Sequence, residues 1–127
     1  MSSTFPEAFG MVAAEAAACG ALPVSAAHSG MAEVTATLAP ALDEPLRGLM
    51  SFSVGPSAVE EIAAKLVGWL KLEAGERDHA RAALAREARD RYGWEGVAEG
   101  VVKAALGRLD ELPEVPPPAP PSGPASG

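Results

Sequence analysis

An α/β fold is predicted for this chain from the order of its first segments and from the periodicity of its second half. An alanine-rich helix that begins near Phe9 or Gly10 ends at Gly20 and leads directly into a short apolar strand over residues 21–25. A weaker strand pattern follows at residues 49–54, and three helix patterns fill most of the second half. We therefore expect a small sheet followed by C-terminal helices.

Two carboxylates flank the start of the first helix, with Glu7 in the entering loop and Glu15 about two turns inside it. At a rise of about 1.5 Å per residue, they lie at most about 12 Å apart along the axis. Between them, the backbone N–H groups of Phe9, Gly10 and Met11 lack intrahelical partners and form an anion site with the helix dipole. Gly10 has no Cβ, so a phosphate can approach the backbone closely. The pattern predicts a ligand with a diol, a diphosphate and another diol, such as a nucleotide sugar.

A loop-rich connection is predicted over residues 38–56 because prolines and glycines recur there. The next helix follows Pro56, where Ser57-Ala58-Val59-Glu60 has the pattern of a capping box, and extends to about Leu72. Its apolar residues fall on one side at helical spacing. These residues are Val59, Ile62, Leu66, Trp69 and Leu70.

Two further helices are predicted after it. The first, over residues 76–92, is rich in charged residues and ends at Gly93, a predicted C-terminal cap. The second extends from Trp94 to about Leu109 with apolar residues at helical spacing. These apolar residues are Trp94, Val97, Ala98, Val101, Val102, Ala105, Leu106 and Leu109. We interpret Trp94 as a packing anchor rather than as a platform for a sugar.

Three segments of the chain differ in composition. Residues 1–56 contain the loops and strands, residues 57–112 contain the helices of the same domain, and residues 113–127 are rich in Pro, Ala, Ser and Gly. A tail of that composition cannot bury an apolar core, so we expect it to be disordered or extended as polyproline.

Charge and composition exclude several classes of function. The net charge of −7 argues against a protein that binds nucleic acid or an anionic membrane. The first 59 residues contain one basic residue, Arg47, so the predicted anion site has no cation nearby in sequence. We expect no metal site and no cofactor, since no metal-ligand cluster is visible. Neither a signal peptide nor a transmembrane segment is predicted, and a cytoplasmic protein is the default expectation.

The first 35 residues resemble a known sequence pattern. The segments Glu7-Ala8-Phe9-Gly10, Glu15-Ala16, Cys19-Gly20, Pro23-Val24 and Ser29-Gly30-Met31-Ala32-Glu33 follow one another in order. In this order they resemble the E-x7-E motif and the following G-G-x-x-E motif of retaining glycosyltransferases of GT-B architecture, especially the family 4 type. Two positions depart from that pattern, with Ala8 where Gly is common and Ser29 for the first Gly of the second motif. The segment from Tyr92 to Ala98 resembles a stretch near the C-terminus of the same enzymes.

The resemblance implies a role for each matching residue. It implies that Glu7, the candidate catalytic residue, binds hydroxyls of the donor sugar, and that Glu15 binds the ribose diol of the nucleotide. The amides after Phe9, those of Gly10 and Met11, would face the diphosphate. Residues 1–56 would then be a partial Rossmann-like, donor-binding segment of a glycosyltransferase that uses a nucleotide-diphosphate sugar and, as is general in this family, needs no bound metal.

We expect the chain to be a fragment of such an enzyme, because it resembles only the last part of the second of two Rossmann-like domains. The isolated chain is then expected to be inactive and to self-associate through uncovered apolar surfaces. Two alternatives remain open. One is a noncatalytic remnant that binds nucleotide sugars, and the other is a small helical interaction module. The sugar, the base and the acceptor are not specified by the sequence.

Overall fold

A computed structural model describes residues 10–114, and within this range six helices accompany a parallel sheet of two short strands, which contacts the second and fourth helices. The helices are α1 (Met11–Ala18), α2 (Ser29–Leu38), α3 (Glu44–Arg47), α4 (Ala58–Lys71), α5 (Ala74–Tyr92) and α6 (Trp94–Ala105). The strands are β1 (Ser25–Ala26) and β2 (Ser51–Phe52), and short 3-10 turns occupy Ala39–Ala41 and Leu109–Glu111. The described residues are mostly helical, and the predicted α/β class agrees with them only in that the two short strands pair in parallel. The Pro-rich tail, beyond Pro113 and Glu114, lies outside the described residues.

The two strands pair in parallel, with Ser25 opposite Ser51 and Ala26 opposite Phe52. The amide of Ser25 donates to the carbonyl oxygen of Met50 at 2.9 Å. The prediction of a strand over residues 21–25 is therefore wrong at its start, because the pairing with β2 begins only at Ser25. Pro23 lies among the predicted residues that are not part of β1, and a proline has no N–H to donate to a neighbouring strand. The weaker prediction over residues 49–54 contains β2 but is too long at both ends.

Small residues let α1 approach the rest of the fold closely. Ala13, Ala14 and Ala17 are buried and belong to the main apolar cluster, which also includes Leu38 of α2 and Leu84 of α5. Because alanine carries only a methyl group, helices packed through it come close together. The alanine-rich pattern of the first helix therefore places α1 between α2 and α5, and it fixes where the surface of α1 is left open.

The region between the two strands is more regular than the sequence indicates. Helix α2 occupies Ser29–Leu38, for which no helix is predicted, and it is mostly buried. Its Thr35 hydroxyl donates to the carbonyl oxygen of Met31 at 2.9 Å, which satisfies a polar group inside the fold. The predicted loop over residues 38–56 contains the short helix α3 as well as β2. Burial, rather than a local helix pattern, accounts for α2.

Helix α4 has nearly the predicted bounds but not the predicted cap. Ser57 makes no capping hydrogen bond to the helix backbone. Its hydroxyl instead lies 3.5 Å from a carboxylate oxygen of Glu61, whose other oxygen accepts from the amide of Ser53 at 3.0 Å. On the predicted apolar side, only Ile62 and Trp69 pack against the core clusters. The remaining three residues of that side, Val59, Leu66 and Leu70, are exposed.

Helix α5 begins at Ala74, two residues before the predicted start, because a capping box forms between Glu73 and Glu76. The amide of Glu73 donates to the Glu76 carboxylate at 3.1 Å. The helix ends at Gly93 as predicted, but Gly93 has an extended conformation, with φ −71° and ψ 155°, rather than that of a left-handed cap. The chain therefore turns directly from α5 into α6.

Helix α6 lies close to the end of α5 at Gly96 and has its apolar residues exposed. A Cβ at Gly96 would overlap the carbonyl oxygen of Asp90, which shows how closely the two helices approach. Trp94 is 87% exposed, so its interpretation as a packing anchor is wrong within the described part of the chain. The apolar residues Val97, Val101, Val102, Leu106 and Leu109 are exposed as well. The helix ends at Ala105, four residues before the predicted end, and Gly107 follows with φ 73°.

Candidate functional site

The starts of α1 and α2 lie against each other. Gly10, immediately before α1, has φ 57° and is buried. A Cβ placed on it would lie 2.7 Å from the carbonyl oxygen of Gly30 and 2.8 Å from the Cα of Met31. Only glycine fits there, because both its backbone conformation and the available space exclude a side chain. This contact joins the two sequence segments that carry the resemblance.

Ser29, the first residue of α2, has φ 55° and is the only residue other than glycine with a positive φ in the described range. L-residues with a side chain rarely adopt this conformation, while glycine adopts it readily. The Ser29 hydroxyl lies 3.1 Å from Nδ1 of His28, which precedes the helix in an extended conformation. Ser29 thus has the backbone geometry of a glycine at the position where the resembling motif has one.

Each of these two helices presents amides at its start that have no partner within the helix. The carbonyl oxygen of Gly10 accepts from Ala13 at 3.0 Å, so the intrahelical bonds of α1 begin there and the amides of Met11 and Val12 precede them. Met11 is 41% exposed, which leaves this end of α1 open to solvent. The arrangement favours a negatively charged group near the start of α1.

Glu15 lies on the exposed side of α1, next to a depression of about 110 Å³ between α1 and the end of α5. From α1 the lining includes Met11 and Glu15, and from α5 it includes Arg89 and Tyr92. The full lining is Met11, Ala14, Glu15, Ala18, Ala88, Arg89, Tyr92 and Gly93. The Glu15 carboxylate makes no hydrogen bond or ion pair with another described residue. It is therefore available to accept hydrogen bonds from hydroxyl groups.

Two arginines of α5 bind backbone carbonyl groups at the end of α1 and just after it. Arg89 donates from Nε to the carbonyl oxygen of Ala18 at 3.1 Å, and Arg81 donates from Nε to the carbonyl oxygen of Gly20 at 2.8 Å. The last carbonyl groups of a helix lack intrahelical partners, and cations stabilise that end. Both arginines are far from their partners in sequence, by 71 positions for Arg89 and 61 for Arg81. These contacts fix α5 alongside the candidate site.

The predicted site residues are placed as follows. Glu7 and Phe9 lie outside the described residues, so the span from Glu7 to Glu15 stays a prediction. Gly10 immediately precedes α1, and Met11 is its first residue. Glu15 is exposed on the helix as expected, but it lies about one turn after Met11 rather than the predicted two, because α1 begins later than predicted. The sequence analysis found no cation close in sequence to the predicted anion site. In the fold, however, Arg89 of α5 lines the same depression as Glu15.

Sequence reasoning missed Arg89 and Tyr92. Both belong to a helix whose charges are spread around its circumference, so no local pattern distinguishes Arg89 from Arg86 or Arg91. The available signal was Tyr92, the single tyrosine of the chain, placed directly before the turn at Gly93.

Neither a cluster of metal ligands nor a membrane-spanning helix occurs within residues 10–114. No group of three or more His, Cys, Asp or Glu residues in this range is arranged to hold a metal ion. No helix in the same range has the length and apolar composition needed to cross a membrane.

Comparisons of the chain with family models, with curated proteins and with solved structures gave no match.

Proposed function

We propose that this chain provides the donor-binding part of a retaining glycosyltransferase of GT-B architecture, with a Rossmann-like donor-binding domain. Such an enzyme transfers a sugar from a nucleotide-diphosphate sugar to an acceptor with retention at the anomeric carbon. The carrying observation is the contact between Gly10 and the backbone of Gly30 and Met31. It brings two motifs, separated in sequence, to one place in the fold.

The left-handed conformation of Ser29 supports the same proposal independently. In the resembling motif this position is glycine, and a glycine is the residue that this conformation favours. If the sequence similarity were accidental, there would be no reason for Ser29 to have the backbone conformation of the glycine that the motif has at this position. The agreement therefore favours a common local structure.

The proposed chemistry assigns one task to each part of the site. The amides at the start of α1 stabilise the diphosphate, whose negative charge increases as the bond to the sugar breaks. Glu15 accepts hydrogen bonds from the ribose diol, and Glu7, the candidate catalytic residue, orients the donor sugar. The part of the site described here uses backbone dipoles and carboxylates, and it assigns no step to a metal or cofactor.

Binding of nucleotides to the isotope-labelled 127-residue chain tests this proposal. Uridine, guanosine and adenosine diphosphates are titrated separately, and amide chemical shifts are followed by NMR. We expect one of them to shift the resonances of Gly10, Met11 and Glu15, with inorganic phosphate affecting the first two alone. The absence of shifts at α1 with every nucleotide at millimolar concentration would contradict the proposal.

The exposed apolar side of α6 favours one alternative, a small helical interaction module. Trp94 and Val101 are 87% and 64% exposed, and large apolar surfaces on a protein commonly mark interaction sites. The nucleotide titration distinguishes the two functions, since an interaction module has no reason to bind a nucleotide at α1. The other alternative, a noncatalytic remnant, would also bind the nucleotide in this titration. Only sugar-transfer assays on a longer enzyme distinguish it from the proposed glycosyltransferase.

A further inference from the structure

We propose that Arg89 and Tyr92 of α5 complete the ribose-binding part of the donor site together with Glu15. The inference rests on the proposed function, and it adds two residues that lie far from the motif in sequence. The observation behind it is the depression of about 110 Å³ that Glu15, Arg89 and Tyr92 line together.

The size of the depression selects the part of the ligand that enters it. Pockets that enclose a whole drug-sized ligand measure about 300–1,000 Å³. A depression of about 110 Å³ is too small for a nucleotide sugar and instead suits one ring-sized group. Glu15 lies five residues after Gly10, which corresponds to about 7.5 Å along the helix axis. A pentose beside Glu15 therefore leaves its phosphates near the start of α1.

The polar groups that line the depression complement a diol. An ionised carboxylate only accepts hydrogen bonds, whereas a guanidinium only donates them, and a phenol does both. Each ribose hydroxyl can donate its proton to Glu15 while its oxygen accepts from Arg89 or Tyr92. A phosphate would be repelled by Glu15, so the mixed set of groups favours the neutral sugar at this position.

Arg89 and Tyr92 both have the capacity for these bonds. Arg89 uses Nε for the carbonyl oxygen of Ala18, and its terminal nitrogens make no hydrogen bond with another described residue. The Tyr92 hydroxyl likewise makes none within residues 10–114, although its ring packs against the main apolar cluster. The bond from Nε and the packing of the ring hold both side chains in position, which reduces the entropy lost on binding.

The test measures affinity of the full 127-residue chain for the nucleoside diphosphate that binds it, and for the 2′,3′-dideoxy form of that nucleotide. Tyr92→Phe keeps the packing of the ring and removes the hydroxyl, so we expect about 3- to 10-fold weaker binding of the ribonucleotide. Arg89→Gln removes a charged donor, and we expect at least about 10-fold weaker binding. Neither substitution should change the affinity for the dideoxy nucleotide, because the diol is absent.

Arg81→Gln is the matched control. Arg81 also donates from Nε to a backbone carbonyl, that of Gly20 just after α1, but it lines a different pocket. A loss of affinity caused only by a loosened α1 would appear in both arginine variants. We expect Arg81→Gln to bind the ribonucleotide as the unmodified chain does, and equal losses in the two variants would overturn the role of Arg89.

The remaining outcomes separate this inference from the proposed function. If Glu15→Gln weakens binding while Tyr92→Phe and Arg89→Gln do not, the donor site stands and the role of α5 in it is wrong. The inference is also overturned if Tyr92→Phe and Arg89→Gln weaken binding of the dideoxy nucleotide as much as that of the ribonucleotide, because the two residues would then contact another part of the ligand. If no nucleoside diphosphate binds at millimolar concentration, the proposed function fails, and this inference fails with it.

Discussion

Gly10 and Gly30 are in backbone contact, and a Cβ on Gly10 would lie 2.7 Å from the carbonyl oxygen of Gly30. Gly10→Ala would add this Cβ at a positive φ of 57°. We expect the substitution to lower the free energy of unfolding by about 2–5 kcal/mol, the sum of left-handed strain and overpacking. Urea denaturation followed by circular dichroism measures this change.

Gly75→Ala is the control for that prediction. Gly75 lies in the first turn of α5, and a Cβ there meets nothing within 4 Å. Alanine is favoured over glycine in a helix by about 1 kcal/mol, so this variant should be as stable as the unmodified protein or more stable. Equal destabilisation by the two substitutions would show that the contact at Gly10 is not selective for glycine.

The positive φ of Ser29 predicts a stabilising substitution. Ser29→Gly should raise the free energy of unfolding by about 1 kcal/mol, because a left-handed conformation costs an L-residue about that much. Ser57→Gly is the comparison, since Ser57 is exposed and has an ordinary φ of −89°. Thermal denaturation should show a higher Tm for the first variant and an unchanged or lower Tm for the second. A lower Tm for Ser29→Gly would contradict the strain at this position.

Glu15→Ala should weaken donor binding in an enzyme that contains this domain. We expect a loss of about 1.5–3 kcal/mol in the binding free energy of the nucleotide sugar, as for other hydrogen bonds to charged groups. Isothermal titration calorimetry measures the loss. Glu60→Ala, which removes an exposed carboxylate on α4, should leave the affinity unchanged. An unchanged affinity in Glu15→Ala would argue against its contact with ribose.

Glu7→Gln addresses the sugar end of the site. If Glu7 holds hydroxyls of the donor sugar, the substitution should impair sugar transfer more than it impairs binding of the free nucleoside diphosphate, which lacks the sugar. Transfer rates and nucleoside diphosphate affinity are compared in the same enzyme. Equal losses in the two measurements would place Glu7 away from the donor sugar.

The outward apolar side of α6 predicts self-association of the 127-residue chain. Val101 is 64% exposed near the middle of this side, so Val101→Lys should reduce association by placing a charge in the contact. Sedimentation velocity over a range of concentrations measures the effect. Ala64→Lys adds the same charge at an exposed position on α4 and should leave association unchanged. Purely monomeric behaviour of the unmodified chain at all concentrations would contradict this prediction.

The long helices could be predicted because their signals are local. The apolar periodicity of α4, the run of charged helix-forming residues in α5 and the turn at Gly93 act within a few residues, and the bounds of both helices agree with the structure to within about two residues. Caps were less predictable, since Ser57 and Glu73 both fit a cap and the surrounding contacts decide which one forms. The helix α2 was missed because its burial, rather than a local pattern, stabilises it.

By itself, the sequence determined the order of α1, α4, α5 and α6 and the presence of Glu15 on the first of them. The tertiary structure decided which distant residues meet around that helix. Gly10 contacts Gly30, and Arg89 reaches Ala18 across 71 positions of the chain. Such contacts depend on how whole helices pack, and no spacing within a single segment encodes them. For the same reason, the side of α6 that faces outward was settled only by the packing of this helix on α5, which is closest at Gly96.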